Sequence, residues 1–175
     1  VNVKYAEAIR RHASPEDFIW IHDYHLMATA SELRRRGVES RLGFFLHIPF
    51  PSPDIFLKLP WRDSLLRSLL DYDLLGFQTA RDRRNFVQCL RLFVRDIEIE
   101  GRGHVLAART GGRTVRIGHF PISIDFGAFS RGAQADDVGR KAEELHRLLP
   151  NRRLVLGIDR LDYTKGIPLR LKAFR

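Results

Sequence analysis

Phe18-Ile19-Trp20-Ile21-His22-Asp23-Tyr24-His25-Leu26 is the stretch that decides the class of the fold. Its first four residues form a short, unbroken apolar run, the mark of a strand buried on both faces. Polar residues follow at once, and residues 26–36 then carry the spacing of a helix closed by Gly37. The same order repeats downstream. Leu42-Gly43-Phe44-Phe45-Leu46 predicts a second buried strand, Trp61 to Leu70 an amphipathic helix, and Leu74-Leu75-Gly76-Phe77 a third strand. Thr79, with Asp82 three residues on, predicts a capped helix running to about Val94. Upstream, Val3, Ala6 and Ile9 mark a helix that ends before Pro15. Strand and helix thus alternate through residues 1–95, which predicts an α/β fold: a parallel, Rossmann-like sheet with helices on both faces.

Beyond residue 95 the pattern changes. Ile97-Glu98-Ile99-Glu100 and Val115-Arg116-Ile117 predict strands around turns at Gly101, Gly103, Gly111 and Gly112, either as a hairpin excursion or as the last strands of the same sheet. A charged helix is expected from about Asp137 to Leu149, then an apolar strand at Leu154-Val155-Leu156-Gly157-Ile158 and a helix opening at Ile167. A fresh strand–loop–helix unit at this point predicts the start of a second domain. The expected division is 1–130 for the first domain and 131–175 for a linker helix and the opening of the second.

Composition narrows the class further. A 44% hydrophobic and 29% charged chain of 175 residues has the balance of a soluble globular protein with a sizeable core. No apolar run approaches the roughly 20 residues needed to span a bilayer. Val1-Asn2-Val3-Lys4 shows neither an initiator Met nor a signal-peptide pattern, so a cytoplasmic protein, or a chain that begins inside a longer one, is expected. Cys89 is the sole cysteine and sits in a helical apolar stripe, which predicts a buried structural thiol. The formal net charge of +9 favours anionic partners. Yet Arg34-Arg35-Arg36 reads as a solvated, dipole-complementing helix end, and Arg81, Arg83 and Arg84 as an exposed helix face. Neither cluster has the interleaved aromatics or the groove-reading motif of a nucleic-acid binder.

Ligands of open parallel sheets bind beyond the carboxyl ends of the strands. That rule selects His22-Asp23-Tyr24-His25, His47-Ile48-Pro49-Phe50-Pro51, Gln78-Thr79 and Asp159-Arg160-Leu161-Asp162-Tyr163-Thr164-Lys165-Gly166. Each has a plainer reading. His22 and His25 would need a third ligand to hold a metal. Asp23 serves as a helix cap or as a site carboxylate, His47 as a core histidine or a site imidazole, and Gln78 as a turn residue or a site amide. Arg160 and Lys165 flank a turn between a buried strand and a helix start, where an arginine fork, a lysine point charge and free N–H groups suit a diphosphate; an ion-pair role is the alternative.

These four segments, extended to Trp20–Leu26, Gly43–Pro51, Asp71–Thr79 and Asp159–Gly166, closely resemble the trehalose-6-phosphate synthases in order and over nearly the whole chain. The resemblance implies the two-domain glycosyltransferase B fold. It also implies transfer of glucose from a nucleotide-glucose, by family default UDP-glucose, to glucose 6-phosphate. The product would be α,α-trehalose 6-phosphate, formed with retention and without a metal or other cofactor. By the same resemblance, Asp23 contacts acceptor hydroxyls, His47 lies beside the transferred glucose, Gln78 lines the cleft, and Arg160 and Lys165 hold the diphosphate. The family's acceptor-phosphate contacts and its acidic donor-sugar motif would fall outside Val1–Arg175, so a central fragment, weak or inactive alone, is expected. The expected partners are small-molecule substrates and a second copy in a homo-oligomer, with neither nucleic acid nor membrane. A related transferase making glucosylglycerol phosphate or a pseudo-glycoside, and a non-catalytic fragment, are the alternatives.

Overall fold

Each of the three apolar runs within the first 95 residues is a strand, and each lies parallel to the next. The computed structural model describes residues 1–174, divided between a first unit, Val1–Ser123, and a second from Ile124 onward. The first unit runs α1 (Asn2–His12), β1 (Phe18–His22), a 3₁₀ turn (Tyr24–Leu26), α2 (Thr29–Arg35), β2 (Arg41–Leu46), α3 (Pro53–Phe56) and α4 (Arg62–Leu69). It continues with β3 (Leu74–Phe77), α5 (Ala80–Phe93), β4 (Glu98–Glu100), β5 (Val105–Thr110) and β6 (Arg113–His119).

The sheet order is β1-β2-β3-β6-β5-β4. The first three pairings are parallel, and β6-β5 and β5-β4 are antiparallel. Both readings of residues 96–120 are therefore combined: a hairpin excursion supplies the final strands of the same sheet. The strand β5 was not expected, because Val105-Leu106-Ala107-Ala108 lacks the alternation or β-branched content that marks a strand.

Among the described residues the helices of the first unit lie against one face of the sheet, where cover on both was expected. Ile21, Leu42, Phe44, Leu46, Leu75, Phe77, Val115 and Ile117 form a single cluster with apolar residues of α1 to α5. Topology gives the reason: from β1 through β2 and β3 to β6 the chain advances in one direction, and right-handed crossovers made in one direction all land on the same side. On the other face Phe18 and Trp20 remain 53% and 61% exposed.

Local signals explain the helix ends. The capping box of α5 is formed by Thr79 and Asp82 as expected. After α2, Val38 N–H donates to the Leu33 carbonyl and Gly37 N–H to that of Arg34, a Schellman pair that needs the φ of +74° at Gly37. The helix α2 begins at Thr29 rather than residue 26, because Asp23–Leu26 is spent on the 3₁₀ turn. Cys89 is buried, and burial pushes its thiol up to about 11.

Arg34 is not the solvated helix end expected of it. Its guanidinium donates to the carbonyls of Val38 (2.7 Å) and Ser40 (2.9 Å) and to the Asp73 carboxylate (2.8 Å). Arg36 pairs with Glu32 and only Arg35 is largely solvated, its side chain 67% exposed. On α5, Arg81 and Arg84 are exposed as expected, whereas half-buried Arg83 donates to the Gly103 carbonyl at 2.7 Å.

The second unit comprises α6 (Phe126–Ala133), α7 (Asp136–Leu148), a 3₁₀ turn (Tyr163–Lys165) and α8 (Ile167–Lys172). Leu154–Ile158 is not a strand, contrary to its apolar sequence. A strand exists only through pairing, and the second unit has no strand among its described residues; Leu156 and Ile158 stand 77% and 82% exposed. Among the described residues no helix is long and apolar enough to cross a membrane.

The Asp73 carboxylate accepts from Arg34, from Arg113 (3.2 Å) and from the Leu42 backbone N–H (2.7 Å). Asp73→Ala leaves the Leu42 N–H without its acceptor, removes the counter-charge of Arg34 and Arg113, and is expected to lower the unfolding free energy by about 1–2 kcal/mol, the partial exposure of the site setting the modest size. Asp73→Asn, which keeps an acceptor for Leu42, is expected to cost less. Urea unfolding of both variants checks the order, and an Asp73→Ala protein as stable as the parent would remove this carboxylate from the account.

Candidate active site

The carboxyl ends of β1, β2 and β3 bring three of the expected site residues onto one edge of the first unit. Asp23 follows β1 with φ +70° and ψ 163°, a conformation almost reserved for glycine. Several bonds hold it there. Its N–H donates to the Phe45 carbonyl at 2.9 Å, and its carboxylate accepts from the Tyr24 N–H at 2.9 Å. The turn it opens is tied down from behind: the Tyr72 hydroxyl donates to the Leu26 carbonyl at 2.8 Å, and the Asn2 amide donates to that of His25 at 3.2 Å. Tyr72 is fully buried, and burial raises its hydroxyl pKa above the usual range, so it stays a donor. Asp23 thus caps a 3₁₀ turn, yet its half-buried carboxylate keeps acceptor capacity beyond that one bond.

His47, one residue past β2, is exposed and is no core histidine. The loop that follows it is fixed by the capping box of α5. One oxygen of the buried Asp82 carboxylate accepts from Thr79 Oγ1 (2.6 Å) and the Thr79 N–H (3.2 Å), and the other accepts from the Phe50 N–H (3.2 Å). Asn85 closes the same loop by donating to the Phe50 carbonyl at 2.9 Å. Gln78 does not bond its own turn: its Nε2 donates across to the Ile122 carbonyl at 3.1 Å.

His22 was weighed only as a metal ligand. Its Nδ1 instead lies 3.0 Å from Nε2 of His47, while the ring of His25 lies on Tyr24 with centroids 3.8 Å apart. Only the strand register reveals the His22–His47 pair. Phe45 is the partner of His22 across β1 and β2, and His47, two residues further on, shares its face. Among the described residues no group of three or more His, Cys, Asp or Glu is placed to hold a metal.

An open cavity of about 530 Å³ runs from this histidine pair along the uncovered sheet face, lined by Phe18, Trp20, Phe45, Gly76 and Phe120. Its apolar walls and shallow form make it chiefly bare sheet rather than a sugar-shaped pocket. The glycines of this face let aromatic rings lie close against the sheet. A Cβ at Gly43, Gly76 or Gly118 would come within 2.5, 2.6 or 2.4 Å of the rings of Phe18, Phe45 and Phe120 respectively. A second histidine pair, His104 Nδ1 and His119 Nε2 at 3.1 Å, escaped the sequence reading; burial, helped by Arg83 and His104, lowers the pKa of His119.

Arg160 and Lys165 belong to the second unit, and both are exposed. Asp162 shapes the loop between them, its carboxylate accepting from the Thr164 N–H and hydroxyl, each at 2.9 Å. Those bonds, with a smaller contribution from the Arg160 and Lys165 charges, hold the carboxyl below its usual range. Gly166 then turns through φ +60° into α8. In this loop Asp159 pairs with Arg170, and among the described residues neither Arg160 nor Lys165 forms an ion pair within 4.0 Å, while both charges act on Asp162.

The backbone at Asp23 generates a prediction that separates stability from function. Asp23→Gly relieves the strain and is expected to leave stability, read as the thermal midpoint, unchanged or raised, the gain in unfolding free energy being at most on the order of 1 kcal/mol despite losing the cap. Asp23→Ala keeps the strain, loses the cap, and is expected to lower it. If melting curves show the glycine variant as unstable as the alanine one, the strain is not there.

A family model described as glycosyltransferase family 20 matches residues 1–175. The trehalose-6-phosphate synthase of Mycobacterium tuberculosis (strain H37Rv) is 42% identical over 99% of this chain, which covers 36% of that protein. Among solved structures, an Escherichia coli protein described as bound with UDP-2-fluoro glucose superposes with a TM-score of 0.76 at 41% identity. An α,α-trehalose-phosphate synthase (UDP-forming) from Burkholderia xenovorans in complex with glucose 6-phosphate superposes at 0.79 with 36% identity. Each covers 99% of this chain, which spans 37% and 38% of theirs. The chain therefore spans little more than a third of the relatives it matches, and it belongs to glycosyltransferase family 20.

Proposed function

We propose that these residues form part of a retaining glucosyltransferase that passes glucose from a nucleotide-glucose to glucose 6-phosphate, giving α,α-trehalose 6-phosphate. The observation that carries the reading is the whole-length family match joined to a strained, backbone-fixed Asp23 at the carboxyl end of a parallel sheet. The ligands named for the E. coli and B. xenovorans relatives support UDP-glucose as donor and glucose 6-phosphate as acceptor. In this reading residues 1–130 belong to the acceptor-side domain, and residues 131–175 to a linker and the opening of the nucleotide-sugar domain. The reaction takes place in the cytoplasm, in trehalose biosynthesis.

The chemistry assigns a role to each side chain. Breaking the bond between glucose and diphosphate builds positive charge on the sugar ring and negative charge on the leaving phosphate. Arg160 and Lys165 meet that growing negative charge, which stabilises the transition state more than the ground state. Asp23 accepts from acceptor hydroxyls, Gln78 lines the same cleft, and His47 hydrogen-bonds the transferred glucose. No enzyme nucleophile is required when the acceptor attacks on the face from which the leaving group departs. The chain spans little more than a third of the relatives it matches, and the 175 residues alone are expected to be weak or inactive.

The test is nucleoside diphosphate release by the full-length protein, given glucose 6-phosphate and UDP-, ADP- or GDP-glucose in turn. Release that needs both substrates, with trehalose 6-phosphate as product, is the expected result. Release with another acceptor only would move the reading to a glucosylglycerol-phosphate or pseudo-glycosyl synthase. Arg160→Ala is expected to lower turnover at saturating substrate by on the order of 10²–10³. Unchanged turnover would sink the assignment of Arg160.

A further inference from the structure

Two imidazoles meet where β1 and β2 end. Nδ1 of His22 and Nε2 of His47 stand 3.0 Å apart, with ring centroids at 5.2 Å and ring planes inclined by 28°. The pair is clamped from both sides. Trp20 sits against His22 with centroids 4.5 Å apart, and Phe45 sits against His47 at 4.8 Å. A neutral imidazole has one donor nitrogen and one acceptor nitrogen. A nitrogen–nitrogen contact at this distance is attractive only when one hydrogen lies between them: with two the N–H groups collide, and with none the lone pairs do.

The tautomers of the rings are therefore linked. If His22 donates from Nδ1, His47 must carry its own proton on Nδ1. If His47 donates from Nε2, its Nδ1 is left bare. We propose that His22 is a positioning residue: it fixes the ring of His47 and, through the single shared hydrogen, whether Nδ1 of His47 offers a proton or a lone pair. This inference rests on the functional reading above, in which His47 meets the transferred glucose. A sugar hydroxyl can then be met by a donor or by an acceptor of fixed identity, instead of by a ring that turns between both. His22 itself touches no substrate in this scheme, and its effect reaches the reaction only through His47.

The test uses two variants and two readouts. In His22→Phe the ring contact with Trp20 is kept but the nitrogen is lost. In His22→Asn the side-chain amide places a polar group near the former Nδ1, able to donate or to accept. With 15N-histidine label, the parent protein is expected to show a scalar coupling between Nδ1 of His22 and Nε2 of His47 and one dominant tautomer for His47. His22→Phe is expected to remove the coupling and leave His47 rotationally averaged, with an unchanged melting curve as the check on folding. In the full-length protein, His22→Phe is expected to lower kcat by on the order of tenfold with little change in KM, and His22→Asn to recover most of the loss. The nuclear resonance readout needs no turnover, so it decides this inference even if the parent transfers no sugar, an outcome that would instead defeat the functional reading. Absence of the coupling in the parent, or a His22→Phe protein with the tautomer and kcat of the parent, overturns the proposal.

Discussion

One carboxylate, that of Asp73, holds the amino-terminal edge of the sheet together. It accepts from Arg34 in the last turn of α2, from the Leu42 N–H near the start of β2, and from Arg113 at the start of β6. The backbone of Asp73 adds two more ties: its N–H donates to the Leu42 carbonyl and its carbonyl accepts from the Arg116 N–H. Arg34 and Arg113 also reach the neighbouring carbonyl of Asp71, so two cations share one acidic corner. Two guanidiniums so close would repel one another without the carboxylate between them. With it, the starts of β2, β3 and β6 are tied together, and Leu74 at the head of β3 pairs with Gly43 on one side and Arg116 on the other. This edge is closed with charge pairs. The opposite edge is left free to carry loops.

The same ordering decides which face of the sheet is covered. A chain that always steps the same way across a parallel sheet stacks its crossovers on one side. The other side is apolar all the same. Phe18, Phe45 and Phe120 lie over Gly43, Gly76 and Gly118, each ring occupying the space that a side chain at the glycine would fill. Such rings restore to a glycine-bearing strand some of the packing it lacks. An apolar face of this kind is what a parallel sheet presents when it is built for cover on both sides. The demand for burial is thus written into the strands even where the helices of this unit meet only half of it.

What could be read from residues alone follows the same physical division. Strands β1, β2 and β3 were legible because fully apolar runs need no partner to be recognised, and the end of α2 and the start of α5 because Gly37, Thr79 and Asp82 act within a few residues of themselves. Arg34 was misread because its worth depends on Asp73, 39 residues away. Leu154–Ile158 was misread for the converse reason: an apolar run states a preference for a sheet but does not supply the neighbouring strand. Helices on both faces were expected because alternation along the chain fixes the class of the sheet and says nothing of the direction in which strands are laid down. Asp23 and His47 were marked by their place after strands. The strain at Asp23 and the bond from His22 to His47 became visible only with backbone geometry and register.

The loop edge owes its order to structural bonds that any folded chain of this kind must make. Asp82 would cap α5 whether or not a sugar ever bound, yet its second oxygen takes the Phe50 N–H and so places the loop that begins at His47. Tyr72 is buried for packing against Phe44, yet its hydroxyl fixes the turn that begins at Asp23. The Asp23 N–H bonds the Phe45 carbonyl, a continuation of the ladder between β1 and β2. The loops that carry Asp23 and His47 are therefore one or two bonds from a group the fold already needs. Preorganisation at such an edge adds little entropic cost when a ligand arrives, because the loops are ordered by helix capping and strand pairing first. It also explains why strain is tolerated at Asp23. The surrounding bonds over-determine its backbone, and a carboxylate held off the ordinary conformational wells points where a relaxed chain would not put it.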